Sequence, residues 1–117
     1  MEKLPPQNLE AEASLLGALL IDKESPVKVI DSIAAGDFYN NNNGLIYQAI
    51  VDLFNQHEPI DILSVANRLT EKKKLEQIGG KSYLAELTAT VPNASHVNSY
   101  ANIIRKKSVL RQLEAAA

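Results

Sequence analysis

The stretch Pro5-Pro6-Gln7-Asn8-Leu9-Glu10-Ala11-Glu12-Ala13-Ser14-Leu15-Leu16-Gly17-Ala18-Leu19-Leu20 marks the start of the fold. Its two prolines keep the preceding backbone extended, and Asn8 is suited to cap a helix. Glu10 and Glu12 lie near the positive end of the helix dipole. One face of that helix carries the apolar residues Leu9, Ala13, Leu16 and Leu20, with Leu15 and Leu19 beside them. This spacing predicts a core helix.

Similar signals predict helices along the whole chain. Ser25-Pro26 is read as the cap and first position of a second helix, which ends near Gly36. The polar run 40–43 reads as a loop before a third helix. Asp61 is predicted to cap a fourth helix. The inner faces of these three helices are predicted to carry Ile30, Ile33 and Ala34; Leu45, Ile46, Ala49, Ile50, Leu53 and Phe54; and Ile62, Val65, Ala66 and Leu69.

The last third of the chain predicts a turn and two more helices. A short turn with Leu75 and Ile78 precedes a helix near Ser82 to Thr90, which Pro92 ends. Ser95 is predicted to cap a long sixth helix. No segment longer than a few residues has strand periodicity, so the fold class is all-α, a compact bundle of about six helices.

The last helix carries two apolar patches separated by Arg105, Lys106, Lys107 and Ser108. We expect the first patch to dock on the domain and the second to project toward another surface. The predicted division is a globular domain over 1–104 and a helical extension over 105–117. The first patch comprises Val97, Tyr100, Ala101 and Ile104, and the second Val109, Leu110 and Leu113.

Composition limits the function. The chain has 117 residues, enough for one domain, and its 45% apolar content indicates a globular protein. A net charge of −2 argues against a dedicated nucleic-acid domain, which is usually basic. The absence of cysteine excludes disulfides and fits a cytoplasmic protein. The longest apolar stretch, 15–21, is too short to span a bilayer.

Catalytic motifs are weak. Gly79-Gly80-Lys81-Ser82 looks like the end of a phosphate-binding loop, but the first glycine of that motif is absent and no strand precedes it. A helix end followed by a new helix start is the better interpretation. Glu10 and Glu12 face apart on a helix, and neither His57 nor His96 has a motif partner. We therefore expect no catalytic residue, cofactor site or metal site in this chain.

Several stretches, taken in order, resemble the N-terminal domain of DnaB-type replicative DNA helicases. Besides the opening motif, they are Asp-Phe-Tyr at 37–39, Pro-Ile-Asp-Ile-Leu-Ser-Val-Ala-Asn-Arg-Leu at 59–69, Gly-Gly-Lys-Ser-Tyr-Leu-Ala-Glu-Leu at 79–87, Val-Pro-Asn-Ala at 91–94 and Tyr-Ala-Asn-Ile-Ile-Arg-Lys-Lys-Ser-Val-Leu-Arg-Gln-Leu at 100–113. Each piece is weak alone, but the ordered set covers nearly the whole chain. One departure is Asn43, where the family often has histidine; a loop or capping contact there can differ, and we assign the position no function.

The resemblance implies a non-catalytic interaction domain. In the family this domain forms the N-terminal collar of a ring-shaped hexamer, docks the C-terminal domain of primase and in some bacteria contacts a helicase loader. The family's last helix continues into a helical hairpin that mediates pairing. Because the sequence stops at Ala117, we expect the second arm of the hairpin and the ATP- and magnesium-dependent motor to lie outside it. The terminal Glu-Ala-Ala-Ala can be natural helix or an addition.

The candidate sites leave alternatives open. Val109, Leu110 and Leu113 either fold back on the core or form a self-association surface. Tyr83 is either a core-boundary residue or a partner contact, and Glu10 either serves the helix dipole alone or contacts a partner. Arg105 and Arg111, with Lys106 and Lys107, form a solvated face, a protein-docking site or a phosphate-binding patch. The last possibility supports the alternative function, a single-stranded nucleic-acid-binding domain, although for this domain we expect weak DNA contact or none.

Overall fold

The computed structural model describes residues 4–116, and in that range every regular element is helical. The helices are α1 (Leu9–Ile21), α2 (Ser25–Val29), α3 (Asn41–Asn55), α4 (Ile62–Glu71), α5 (Leu75–Ile78), α6 (Gly80–Thr90) and α7 (Val97–Ala116). Two short 3₁₀ turns, Ala35–Asp37 and Ala94–His96, connect α2 to α3 and α6 to α7. The all-α prediction is confirmed, with seven helices over the described residues instead of about six.

Helix α1 is the centre of the bundle and packs against α6, α7 and α3. Asn8 caps it as predicted, because its Oδ1 accepts a hydrogen bond from the Ala11 amide at 2.9 Å. Gly17 lies where α1 crosses α6, and a Cβ at that position would collide with the backbone carbonyl of Leu87. The glycine therefore allows the two helix backbones to approach closely.

The core is apolar and continuous across the bundle. Its largest fully buried members include Leu15, Leu16, Leu19, Ile46, Tyr47, Ile50, Leu69, Leu84, Leu87 and Ile104. Phe38 also fills the core, with its ring centroid 5.1 Å from that of Tyr47. Leu9 does not: its side chain is 44% exposed, so its assignment to the buried face was wrong.

The second predicted helix is shorter than expected. Ser25 is the first residue of α2 rather than its cap, and its Oγ donates to Asp22 at 3.0 Å. Helix α2 ends at Val29, so Ile30 and Ala34 lie outside it; Ile33 is still buried. Near Gly36, where this helix was predicted to end, the chain instead forms a 3₁₀ turn. Asp37 Oδ2 closes this turn by accepting a hydrogen bond from the Ala34 amide at 2.8 Å.

The starts of α3 and α7 also differ from the prediction, and at both an asparagine acts as the cap. The run 40–43 is not a loop: Asn40 Oδ1 accepts from the amides of Asn42 and Asn43, and α3 begins at Asn41. Ser95 does not cap the last helix, because Asn93 caps the 3₁₀ turn before it. Asparagine is a strong cap, and a run of polar residues hides which member is used.

Two details of the fourth and fifth helices follow the sequence. Asp61 caps α4, with its Oδ1 accepting from the Ser64 amide at 2.8 Å. The predicted turn at 75–78 is a single helical turn, α5, and Gly79 ends it with a φ of 109°. Only glycine adopts that left-handed conformation easily. The interpretation of Gly79-Gly80 as a helix end and a new helix start is therefore confirmed.

Candidate functional site

A pocket of about 360 Å³ lies between α1 and α6, and we call it the docking pocket. It is lined by Leu9, Glu10, Ala13, Ser14, Asn40, Asn43, Tyr83, Glu86, Leu87 and Thr90. The pocket brings together two of the predicted docking residues, Glu10 and Tyr83, which are 73 positions apart in the sequence (83 − 10). They meet because α1 and α6 pack side by side.

The rim of the docking pocket is acidic and partly apolar. Glu10 and Glu86 both line the pocket and are exposed, and Leu9, which is also exposed, adds apolar surface to the lining. The ring of Tyr83 is half-buried and forms part of the wall. Such a surface suits a partner segment with an apolar side chain and a positive charge beside it.

The floor of the docking pocket rests on a buried carboxylate, Glu12, which is 2% exposed. Its oxygens accept from the backbone amides of Tyr39 at 2.7 Å and Asn40 at 3.3 Å, and from Asn43 Nδ2 at 3.0 Å. Asn43 Oδ1 in turn accepts from the Tyr83 hydroxyl at 2.8 Å. We call Glu12, Asn43 and Tyr83 the Glu12 network. It joins α1, α3 and α6 beneath the pocket.

Burial and nearby negative charge keep the Tyr83 phenol protonated. Burial raises the pKa of its phenol above the ordinary value, and the negative charges of Glu86 and Glu12 act in the same direction. The hydrogen bond to Asn43 opposes them but is the smaller effect. The hydroxyl is therefore a neutral donor turned inward, and a partner in the pocket would meet the ring of Tyr83.

Sequence reasoning did not find the Glu12 network. Glu12 resembles any acidic residue in the first turn of a helix, where the dipole alone explains it. The prediction that Glu10 and Glu12 face apart is consistent with their exposure, since one is at the surface and the other buried. Asn43, to which the sequence assigns no function, is 1% exposed and belongs to this network.

A second candidate surface lies on the last turns of α7. The side chains of Val109, Leu110 and Leu113 are 36%, 45% and 63% exposed, and we call them the assembly strip. They do not fold back on the core of the domain. Three exposed apolar residues on one helix are available for a protein contact, so the self-association role stays a prediction.

The two arginines predicted for docking have partners inside the domain. Arg105 Nη1 lies 3.2 Å from Asp37 Oδ1, although half of the Arg105 side chain is exposed. Arg111 Nη1 donates to the Pro6 carbonyl at 2.8 Å, and its Nη2 donates to the Asp37 carbonyl at 2.6 Å. These contacts compete with a partner or a phosphate for the guanidinium groups. The docking role of both residues stays a prediction. Because these guanidinium groups have contacts within the domain, less of the basic patch is available to bind nucleic acid.

The two histidines lie at the surface. His57 and His96 are both exposed, and the ring of His96 lies edge-on to Tyr100. Across residues 4–116, no group of three or more His, Cys, Asp or Glu side chains is arranged to hold a metal ion. Within that range, too, every helix is too short or too polar to cross a membrane.

Comparison with known proteins agrees with this architecture. A family model described as the DnaB-like helicase N terminal domain matches residues 4–106. The replicative DNA helicase DnaB of Geobacillus stearothermophilus is 40% identical over 112 residues, covering 96% of this chain and 25% of that protein. The replicative DNA helicase DnaB of Mycobacterium leprae is 41% identical over 112 residues, covering 96% of this chain and 18% of that protein.

A solved structure is also similar to this chain in its fold. The crystal structure of the N-terminal domain of DnaB helicase from Mycobacterium tuberculosis superposes with a TM-score of 0.94 at 41% sequence identity. The match covers 97% of this chain and 82% of that one. The chain spans a quarter or less of the length of the two curated relatives named above. Sequence and structure agree over nearly all of its residues, and the chain belongs to the DnaB-like helicase N-terminal domain family.

Proposed function

We propose that this chain is the protein-interaction and oligomerisation domain of a replicative DNA helicase. In this role it forms the N-terminal collar of the hexamer and docks primase during DNA replication. The observation that carries the proposal is the assembly strip, an apolar surface on the helix that extends from the domain. Family membership supports the collar role, and the docking pocket supplies a separate surface for a second protein.

Self-association is tested by sedimentation equilibrium over a wide concentration range. We expect the unmodified chain to associate and the variants Leu110→Asp and Leu113→Asp to remain monomeric, because a carboxylate in an apolar interface must be desolvated. Leu63→Asp is the matched control: it changes a leucine of α4 that is 68% exposed and lies outside the assembly strip. Monomeric behaviour of all four proteins would overturn self-association through this strip.

Docking of the primase C-terminal domain is tested by isothermal titration calorimetry. We expect binding that weakens by about tenfold or more in Tyr83→Ala, because aromatic residues in the walls of pockets are frequent hot spots. Glu10→Gln should weaken binding and reduce its salt dependence, because it removes a rim charge. Glu76→Gln, an exposed glutamate on α5, is the control. Equal affinity for all variants would place the primase contact outside the docking pocket.

The rest of the proposal concerns the whole helicase. The parent protein is an ATP-dependent DNA helicase of the bacterial replisome, and ATP and magnesium act in its motor domain rather than here. A helicase loader is a further partner of the same collar. Direct DNA contact by this domain is weak or absent, consistent with its net charge of −2 and the inward contacts of Arg105 and Arg111.

A further inference from the structure

One face of α7 changes from apolar to polar along its length. Val97, Ala101 and Ile104 are buried on this face, and their spacing of four and three residues continues to Ser108 and Arg111. Residues at this spacing share one side of a helix. The face that rests on the domain is therefore held by apolar contacts as far as Ile104 and by polar contacts beyond it.

The polar contacts converge on Asp37, whose side chain is buried in the 3₁₀ turn before α3. Asp37 Oδ1 accepts from Ser108 Oγ at 2.7 Å and from Arg105 Nη1 at 3.2 Å. Its other oxygen accepts from the Ala34 amide at 2.8 Å. One oxygen thus binds the turn and the other binds α7. Ser108 is itself only 2% exposed.

Arg111 adds a third attachment one turn later. Its two terminal nitrogens bind the carbonyls of Pro6 and Asp37, and its guanidinium carbon lies 5.6 Å from the centroid of the Tyr39 ring. The planar guanidinium has its donors in a fixed arrangement, so contacts in three directions define its position. We call Asp37, Arg105, Ser108 and Arg111 the Asp37 clasp.

We propose that the Asp37 clasp sets the direction in which α7 leaves the domain and thereby positions the assembly strip. Apolar packing is non-directional, whereas hydrogen bonds depend steeply on angle. The clasp supplies directional contacts where apolar burial has ended, in the same turns that carry Val109 and Leu110. The geometry of the clasp does not depend on the proposed function. Only the role of the assembly strip in self-association rests on it.

The proposal assigns Arg105 and Arg111 a positioning role within the chain. It also assigns Asp37 a role that its place between α2 and α3 would not suggest. Through Arg111, the segment before α1 is attached to the same point at Pro6. This segment, the turn before α3 and the last helix are therefore joined through Arg111 and Asp37.

The experiment measures the direction of α7 by electron spin resonance. The sequence contains no cysteine, so spin labels attach only at introduced positions, here Lys81→Cys on α6 and Ala115→Cys on α7. Both positions are exposed. An excess of unlabelled chain keeps labelled copies from pairing with one another. The unmodified background should give a single narrow distance peak.

Two clasp variants and one control are compared. Arg111→Gln leaves the 3₁₀ turn intact, and Asp37→Asn removes the charge that Arg105 and Ser108 contact. Both should lose the narrow peak and give a broad distance distribution, with helix content by circular dichroism unchanged. Asp31→Asn changes an exposed aspartate between α2 and the 3₁₀ turn and should keep the narrow peak. Sedimentation equilibrium of the same variants gives the second readout.

The outcomes separate this proposal from the proposed function. Broad distances with weaker self-association support both. Broad distances with unchanged self-association support the Asp37 clasp and overturn the role of the assembly strip. Narrow distances in both clasp variants overturn the clasp, even where the variants unfold more easily, because the side chains then add stability without setting direction.

Discussion

Two buried carboxylates attach the stretch 37–40 to two different helices. Glu12 reaches from α1 to the backbone at Tyr39 and Asn40, and Asp37, two residues before Tyr39, reaches α7. Glu12 accepts from neutral amides, whereas Asp37 also accepts from the guanidinium of Arg105, half of whose side chain is in water. The first carboxylate therefore fixes the interior of the bundle, and the second fixes an element at its edge.

This difference predicts how the stability of the domain changes when each carboxylate is removed. Glu12 accepts from the buried side-chain amide of Asn43 and from the backbone amides of half-buried Tyr39 and Asn40, so its loss should weaken contacts that join α1 to α3 and destabilise the whole fold. Arg105 can be solvated when Asp37 is lost, so the damage there should stay in α7 and the adjoining turn. Four substitutions test the contrast.

The largest effect is expected for Glu12→Ala. Three buried or half-buried donors, on Tyr39, Asn40 and Asn43, would lose their acceptor, at about 1–3 kcal/mol for each group left unsatisfied. We expect the free energy of unfolding to fall by about 3–4 kcal/mol in urea titrations followed by circular dichroism. Glu10→Ala, in the same helical turn but exposed, should change it by less than about 0.5 kcal/mol. A similar loss in both variants would contradict the comparison.

Asp37→Ala should have an intermediate and local effect. We expect about 2 kcal/mol of destabilisation, since hydrogen bonds to charged groups contribute about 1.5–3 kcal/mol and part of the loss is recovered by solvation. Hydrogen exchange should accelerate in the last turns of α7 and in 34–38, while protection of α1 and α6 is retained. Uniform acceleration throughout the domain would show that Asp37 acts like Glu12.

Tyr83→Phe removes one hydrogen bond from the Glu12 network and should cost about 1 kcal/mol. The substitution also has an alkaline signature. The folded-state pKa of Tyr83 is raised above 10.0, so above that pH the unfolded chain releases the phenolic proton more readily than the folded chain. Stability therefore falls as pH rises. Thermal melts should show that Tyr83→Phe loses less stability than the unmodified chain between about pH 9 and pH 11. An identical decline in the two proteins would contradict this.

Asp52 provides a partly buried carboxylate, held by an arginine and a lysine, as the reference. Burial acts to raise its pKa, but hydrogen bonds from Lys72, Gln48 and Arg68 outweigh it and lower the pKa below 3.8. The resulting stabilisation is present above pH 3.8 and is lost as pH falls through the folded-state pKa. Asp52→Asn should cost about 1 kcal/mol or less near neutral pH. The difference between the melting temperatures of the two proteins should shrink as pH falls below 3.8, and a constant difference would contradict the assignment.

The helices were predictable because their signals are local. Caps such as Asn8 and Asp61 act within three residues, and apolar spacing repeats within one element. Asn40 and Asn93 were missed because several neighbouring polar residues could have served as caps. Helix α2 ends at Val29, where the backbone amide and the hydroxyl of Ser32 both donate to the Val29 carbonyl, and composition does not indicate this end.

The two carboxylate sites were not predictable from local pattern. Glu12 acts on residues 27 to 31 positions away, and Asp37 binds Ser108 at a separation of 71 positions. Only the packing of α1 and α7 on the same connecting stretch brings these groups together. The exposed candidates Glu10 and Leu110 were easier to select, since exposure follows from a position beside or beyond an apolar stripe.

The close crossing at Gly17 has a consequence for partner binding. At this crossing the α1 backbone lies so close to the Leu87 carbonyl of α6 that an added methyl group would collide, so we expect the two helices to move together. Leu9 and Tyr83 stand on these two helices, so we expect the walls of the docking pocket to keep their relative positions when a partner binds. Preorganisation of this kind removes much of the entropy cost of ordering a binding surface, and a short partner segment can then bind usefully through few contacts.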